Sequence, residues 1–285
     1  MKRLWHHLTR GSGWLGMIGA GLLLLLVLVS LLGPWLDLPD PTRGNLRARM
    51  AAPTWSWFSL GAHPLGADQL GRDILSRIIA GSQVTLLIAG SAVILGGAVG
   101  TLLGLVSGYF GGLFDRLLMR LVDIQLALPL MLLALMIVAA MGPSLTNLII
   151  VLALVSWVRY ARIVRGQVLA VRERDFVQSA RAIGASPARI ILKHILPNVL
   201  TPALVVATLE LARLIVLEAG LSFLGLGVQP PFPSWGRMLA DGRAYISSAW
   251  WVITFPGVAL MLTVLAVNLL GDWLRDYFDP RLGRQ

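Results

Sequence analysis

The chain has 285 residues, of which 56% are hydrophobic and only 13% are charged. About a quarter of an average soluble domain is charged, so this chain lacks the polar residues to cover a water-facing surface, and lipid must form part of its surroundings. The net charge of +10 is spread over the gaps between apolar runs, which is typical of membrane-protein loops and argues against nucleic-acid binding. The absence of cysteine excludes a disulfide framework and thiolate metal sites.

Six apolar runs are long enough to cross a bilayer, which needs about 20 helical residues. They cover 14–33, 84–107, 117–141, 145–164, 199–221 and 251–270. The first follows a basic leader, as in a secretory signal, but it is longer than a signal's apolar region and no cleavage site follows it. We therefore expect an uncleaved anchor and an all-α integral membrane protein with six transmembrane helices.

Most of the 24 Lys and Arg residues fall on the side of the membrane that holds both termini, which predicts cytoplasmic termini. The predicted division of the chain is a cytoplasmic tail 1–13, an anchor 14–33, a periplasmic loop 34–83, a five-helix core 84–271 and a cytoplasmic tail 272–285. The longest cytoplasmic connection, 172–197, joins the fourth and fifth spans. We call it the elbow.

The second span carries a stripe of glycines at every fourth position, which continues just beyond it. The stripe consists of Gly96, Gly100, Gly104, Gly108 and Gly112. Such a stripe lets another helix backbone approach closely. The pattern fits either ordinary helix packing or a sliding surface of a gate.

The fifth span contains three ionisable residues, Glu210, Arg213 and Glu218. Charges inside a bilayer are costly, so we expect these side chains to face the interior of the bundle or a wet cavity. Glu210 and Arg213 are three residues apart, share a helix face and can pair. Both a structural ion pair and a part in a translocation path or gate fit this pattern.

The elbow has the punctuation of two short helices. Gly184 suits the left-handed position that ends the first helix. Ser186 is a good N-cap and Pro187 a good first residue for the second, and Pro197 is predicted to separate that helix from the fifth span. The segment is amphipathic, so it either docks a cytoplasmic partner or lies passively at the membrane surface.

The elbow resembles the EAA loop of bacterial binding-protein-dependent ABC permeases, in which EAA is followed by a glycine and then by I-x-L-P. Gln178, Ser179 and Ala180 align with EAA, Gly184 with the glycine, and His194, Leu196 and Pro197 with the last motif. Gln178 stands where the family has an acid, so the salt bridge of that glutamate is not expected here.

Four further segments resemble the dipeptide, oligopeptide and nickel permeases, and the long first outside loop resembles their C-type subunit. These segments are 63–86, 109–129, 218–239 and 268–282. The resemblance implies the type I importer permease fold and the transport of a solute, with di- or oligopeptides favoured over nickel or glutathione. The implied location is the bacterial inner membrane, with several spans in the lipid bilayer.

The resemblance also implies partners: a second homologous permease, two ATPase subunits that bind ATP and Mg, and a periplasmic substrate-binding protein. In the family the elbow enters a groove on the ATPase. The residues implied for this coupling loop are Phe176, Gln178, Ser179, Ala180, Gly184, Ala185, Ser186 and Arg189.

Catalytic motifs are absent from the sequence. Its only lysines, Lys2 and Lys193, do not follow the glycine of a phosphate-binding loop, and it has no H-E-x-x-H, G-x-S-x-G or S-x-x-K motif. We therefore expect no enzymatic activity, no bound cofactor and no metal in this chain. A self-contained secondary transporter or channel is the alternative, but such proteins more often show two related halves.

Overall fold

The computed structural model describes residues 13–56, 59–60 and 63–278. The described residues form ten α-helices and one short hairpin. The helices are α1 (Gly13–Leu32), α2 (Ile74–Phe110), α3 (Gly112–Ala127), α4 (Leu130–Met141), α5 (Leu145–Val171), α6 (Asp175–Ala182), α7 (Pro187–Ile190), α8 (Leu196–Phe223), α9 (Trp235–Gly242) and α10 (Trp251–Phe278), and the strands are β1 (Trp55–Ser56) and β2 (Ser59–Leu60). Residues 1–12 and 279–285 of the two predicted tails lie outside this description.

By length and composition, five helical segments of the described chain can each cross a membrane: Trp14–Trp35, Ile74–Phe110, Leu145–Val171, Pro187–Phe223 and Trp251–Phe278. Helices α3 and α4 together make a sixth if the bent pair is one span. The expected all-α integral membrane fold is therefore confirmed. The third span differs from the single helix predicted over 117–141.

The third predicted span is divided at Leu128 and Pro129, where α3 and α4 meet at an angle of 96°. Leu128 has an extended backbone, with ψ of 138°, because the ring of a following proline disfavours the helical conformation. Pro129 then begins α4 as its N-cap. Pro129 lies inside the predicted third run, 117–141, and in this fold it forms a corner between two helices.

Helix α2 begins at Ile74, well before residue 84, where the second span was predicted to start. Its first turn is fixed by Asp73, whose carboxylate accepts hydrogen bonds from the Ser76 amide at 2.8 Å and from the Ser76 hydroxyl at 2.7 Å. Such an N-cap satisfies amide groups that a helix start leaves unpaired. Ser76 and Arg77, which the sequence placed in the periplasmic loop 34–83, are therefore buried residues in the first turn of α2.

A buried ion cluster lies beside this helix start. Asp68 is 2% exposed and accepts a hydrogen bond from Arg72 Nε at 2.7 Å. Its Oδ2 atom also pairs with Arg77, which is 4% exposed. The loop reaches this position through Gly66 and Gly71, which both adopt positive φ angles, a conformation that glycine adopts without steric cost.

Helices α2 and α5 pack closely through the glycine stripe. A β-carbon placed on Gly104 would lie 2.7 Å from the carbonyl oxygen of Ala161, and one on Gly108 would lie 2.7 Å from Val168 Cβ. Similar positions on Gly96 and Gly100 would collide with α5 as well. Helix packing therefore accounts for these four glycines, whereas Gly112 begins α3 with a positive φ and is not part of the contact.

The boundary between the elbow and α8 differs from the prediction. Pro197 does not separate two helices, because Pro187–Phe223 is one helical run. A wide π turn over Ile191–Ile195 precedes the proline, and the Leu196 amide donates to Ile191 O across five residues. Such a turn opens the hydrogen-bond ladder at the place where proline lacks an N–H and needs room for its ring.

Two of the four buried hydrophobic clusters in the described structure matter most for the sites below. The larger joins α2, α4, α5, α8 and α10 through aliphatic side chains such as Ile88, Leu152 and Ile215. The second joins the ends of α2 and α5 to the elbow and to the start of α8. We call this end of the molecule the elbow end.

Candidate functional site

The elbow is attached to the bundle by its inner face. Val177 and Ala180 of α6, Ile190 of α7 and Ile195 of the π turn are buried, and they pack in one cluster with residues of α2, α5 and α8 such as Val168. Burial of these apolar side chains fixes how the elbow sits on the helix ends. The elbow is therefore packed directly against three of the long apolar helices, α2, α5 and α8.

The turn between α6 and α7 is fixed by backbone hydrogen bonds. The Gly184 amide donates to Arg181 O at 3.0 Å and the Ala185 amide donates to Ala180 O at 3.0 Å, which is the Schellman arrangement for the end of a helix. Gly184 has φ of +80°, as this arrangement requires. Ser186 then caps α7 by accepting from the Arg189 amide at 3.4 Å.

The outer face of the elbow is open. Phe176 is 40% exposed and Ile183 is 86% exposed. Of the residues predicted for the coupling loop, Phe176, Ser179, Gly184, Ser186 and Arg189 are exposed, Gln178 and Ala185 are half-buried, and Ala180 is buried. The structure therefore divides the predicted set into an outer surface and an inner anchor.

Polar contacts also attach the elbow to the helix bundle. Arg172, just after α5, donates from Nη1 to the carbonyl oxygen of Gly108 at 2.8 Å. Gln178 donates to the Arg172 carbonyl oxygen at 3.1 Å and to Glu173 Oε2 at 3.3 Å. Gln178 stands where the family has an acid, and its neutral amide links α6 to the residues that follow α5 by hydrogen bonds.

A second candidate site lies inside the bundle and is built on Glu210 of α8. Glu210 is 1% exposed, and its Oε1 atom lies 3.4 Å from Arg213 Nη1 and 3.2 Å from Arg159 Nη1. The predicted pairing of Glu210 with Arg213 is confirmed. Arg159 comes from α5, so the carboxylate joins two neighbouring helices.

Glu218 belongs to a separate polar cluster, although the sequence placed it with Glu210 and Arg213. It is fully buried, accepts from the Ser222 hydroxyl at 2.7 Å and lies 3.4 Å from the Thr85 hydroxyl. The Ser222 hydroxyl in turn accepts from the Val228 amide at 3.1 Å. Glu218 therefore supports the loop that follows α8.

Sequence reasoning did not single out Arg159. Its position inside the predicted fourth span, 145–164, was the signal that could have identified it. Sequence reasoning also missed the pairing of Asp115 with Arg165, whose Nε and Nη2 atoms lie 2.5 and 2.6 Å from the carboxylate oxygens. That pair joins α3 to α5, which are distant in sequence and therefore give no local pattern.

The described residues contain no group of three or more His, Asp or Glu side chains arranged to hold a metal ion. The two candidate sites are the exposed outer face of the elbow and the ion cluster around Glu210. Neither holds a nucleophile with an activating base, the arrangement that covalent catalysis requires.

The profile of a family described as the binding-protein-dependent transport system inner membrane component matches residues 100–284. The chain belongs to this family. Both candidate sites lie within the matched range. The family is the membrane-spanning permease component of ABC importers, which establishes a multi-pass membrane protein and, in general, partner ATPase and binding-protein subunits.

Curated relatives match this permease over nearly its whole length. The di/tripeptide transport system permease protein DppC of Pseudomonas aeruginosa is 44% identical over 99% of this chain and 92% of its own. The dipeptide transport system permease protein DppC of Escherichia coli is 43% identical over 99% and 93%. The probable D,D-dipeptide transport system permease protein DdpC of Escherichia coli is 40% identical over 99% and 92%.

Among solved structures, the methionine ABC transporter MetNI in an inward-facing conformation is similar to this permease. The TM-score is 0.56, the identity is 22%, and the match covers 71% of this chain and 97% of the other. This similarity concerns the fold, and it agrees with the importer permease fold that the sequence indicates.

Proposed function

We propose that this permease is one of the two membrane-spanning subunits of an ATP-driven importer for dipeptides in the bacterial inner membrane. The observation that carries the proposal is the elbow, whose inner face is anchored on α2, α5 and α8 while Phe176 and Ile183 face outward. An exposed apolar surface on a firmly attached segment is typical of a protein contact. The similarity to dipeptide permeases over 99% of the chain supports the same function.

The proposed assembly contains a second homologous permease, two ATPase subunits and a periplasmic substrate-binding protein. Both termini and the elbow lie in the cytoplasm in this arrangement, as the distribution of basic residues predicts. ATP and Mg are bound by the ATPase subunits. This chain contributes the elbow to one of them and its helices to the path across the membrane.

The proposed mechanism couples ATPase closure to the membrane helices through the elbow. Closure moves the outer surface formed by Phe176, Ser179, Gly184, Ser186 and Arg189. Because Arg172 links the elbow to Gly108 at the end of α2 and the π turn continues into α8, the same movement shifts both helices. The path then alternates between its outward and inward openings.

The intramembrane charges belong to the proposed path or its gate. Glu210 and Arg213 lie on α8 together with Arg159 from α5, and both arginines are partly exposed. Charged groups are retained inside a membrane where they serve a function. Glu218 has an indirect part in the proposed path. Through Ser222 it holds the loop that precedes α9 at one end of the path.

Dipeptides are the proposed substrate because the relatives that match almost end to end are named for dipeptide or di/tripeptide transport. Nickel and glutathione transport, the other activities considered from the sequence, would require the binding protein of the same system to carry a different ligand. The first measurement is therefore to identify the ligand that this binding protein carries.

A tagged chain purified from its native host in mild detergent tests the assembly. We expect the second permease and the ATPase subunits to co-purify, and we expect proteoliposomes of this complex to import L-alanyl-L-alanine when its binding protein and ATP are present. Recovery of the chain alone, with uptake in the absence of ATP, would indicate a self-contained transporter and would overturn the proposal.

A substitution in the elbow tests the coupling surface. Gly184→Val is expected to leave ATP hydrolysis measurable and to lower the number of peptides imported per ATP, because a β-branched residue resists the left-handed backbone. Gly166→Val on α5 is the matched control, since a β-carbon there meets no atom of the described residues within 4 Å and no positive φ is required. Normal uptake per ATP by the Gly184 variant would contradict the role of the elbow.

A further inference from the structure

The ion cluster around Glu210 has an unequal composition, with two guanidinium groups for one carboxylate. Both arginines approach the same oxygen, Oε1, at 3.2 Å from Arg159 and 3.4 Å from Arg213. Since arginine stays protonated in proteins, the three side chains carry at least one positive charge in excess. An excess cation inside a membrane is costly unless an anion approaches it.

The two arginines are also placed to receive a ligand. The side chain of Arg159 is 45% exposed and that of Arg213 is 32% exposed, whereas that of Glu210 is 2% exposed. The carboxylate is therefore the buried anchor, and the guanidinium groups extend from it toward open space. Within the described residues both contacts to Glu210 use Nη1, which leaves Nε and Nη2 of each fork for another acceptor.

The depth of the cluster in the bundle limits the choice of anion. Arg159 lies 14 residues after Leu145 and 12 before Val171 in α5, which places it about 20 Å from either end at a rise of about 1.5 Å per residue. Glu210 has a similar central position in α8. Lipid phosphates lie at the membrane surface, so the anion that best fits a position midway along both helices is a transported solute.

We propose that Arg159 and Arg213 bind the free carboxylate of the transported peptide midway along the path, with Glu210 positioning both guanidinium groups. This proposal rests on the proposed function, since a dipeptide carries one carboxylate at its C-terminus. Two guanidinium groups can each donate to a carboxylate, and such charge-assisted hydrogen bonds are strong and directional. The site recognises a chemical group shared by all dipeptides and requires no particular side chain.

The first experiment compares uptake of L-alanyl-L-alanine by proteoliposomes of the intact importer with the double variant Arg159→Gln and Arg213→Gln. Uptake should fall by about tenfold or more, the loss expected for charge-assisted hydrogen bonds to one ligand group, while stimulation of ATP hydrolysis by loaded binding protein persists. Arg162→Gln is the matched control, because Arg162 lies on α5 one turn away but pairs with Asp123 at the exposed surface. Unchanged uptake by the double variant would overturn the proposal.

The second experiment separates a positive charge at this position from a merely structural role. Since the chain has no cysteine, Arg159→Cys can be modified selectively in a complex whose other subunits are free of accessible cysteines. A reagent that adds an aminoethyl group should restore uptake, and one that adds a sulfonate should not. Equal effects of the two reagents would overturn the proposal.

Two control measurements distinguish a wrong site from a wrong function. If the double glutamine variant no longer co-purifies with the second permease, the arginines bind a carboxylate of that subunit, and the substrate site is wrong. If the unmodified importer does not transport L-alanyl-L-alanine at all, the proposed function fails before the site is tested. The wild-type measurement therefore distinguishes failure of the function from failure of the site.

Discussion

Helix α2 and the elbow both depend on glycine, but for opposite physical reasons. The stripe glycines of α2 have ordinary helical backbones, and a side chain on any of Gly96, Gly100, Gly104 or Gly108 would collide with α5. Gly184 has open space around its β-carbon position within the described structure, but its φ is +80°. The first region needs the absence of a side chain, and the second needs a backbone that side chains disfavour.

This difference separates a rigid support from an accessible surface. Around α2 the contacts are buried, and its start is held by the buried ion cluster of Asp68 and Arg77. In the elbow only the inner face is buried, and the outer face keeps apolar residues such as Ile183 exposed. Substitutions around α2 should therefore act on stability, whereas substitutions in the elbow should act on coupling with little loss of fold.

The largest effect is expected from Asp68→Asn. Asparagine would leave the buried Arg77 without its negative partner, and breaking a buried ion pair costs about 3–5 kcal/mol. A thermal melt followed by size-exclusion chromatography in mild detergent should show a large loss of folded protein. Asp40→Asn is the control, since Asp40 is exposed and its carboxylate accepts hydrogen bonds from the neighbouring Thr42. Equal melting of the two variants would show that the ion cluster does not hold the start of α2.

A smaller effect is expected from Gly100→Ala in the middle of α2. The added methyl would lie 2.7 Å from Tyr160 Cβ and closer still to the Trp157 carbonyl oxygen, and overpacking of this kind costs about 1–3 kcal/mol. Gly90→Ala, on the same helix but with no neighbour in the described structure within 4 Å, should instead be neutral or stabilising, because alanine favours the helix. The difference between the melting temperatures of the two variants measures the cost of placing a methyl group in the contact between α2 and α5.

Gly184→Ala should destabilise the chain less than Gly100→Ala, since only the left-handed backbone is affected, at about 1–2 kcal/mol. Gly184→Asn should be milder, because asparagine tolerates that backbone. Stability and peptide uptake per ATP are measured on the same preparations. The contrast between the two regions would be broken if the alanine variant lost as much stability as Gly100→Ala while its peptide uptake per ATP stayed normal.

The smallest effect is expected from Asp123→Ala. Asp123 pairs with Arg162, and both side chains are about half exposed, so the pair should contribute about 0–1 kcal/mol. Asp115→Ala is the comparison, since Asp115 is more buried and meets Arg165 through two contacts. A melting temperature that falls equally in both variants would show that burial does not distinguish these pairs.

The differences between prediction and structure occur where tertiary contacts decide. Arg77 looked like a loop residue because its partner, Asp68, lies nine positions earlier, and only the fold buries both. The sequence placed Pro129 inside the third apolar run and Pro197 between the elbow and the fifth span. The first became a corner of 96°, while a π turn over Ile191–Ile195 kept the second within a helical run.

The sequence by itself determined the membrane character, the number of apolar runs and the two helices of the elbow. These properties depend on local composition and on residues such as Gly184, Ser186 and Pro187, whose backbone preferences act within one turn. Only the tertiary structure joined Arg159 to Glu210, Asp115 to Arg165, and the glycines of α2 to α5. Such contacts form between helices that are distant along the chain, so no spacing within one segment can indicate them.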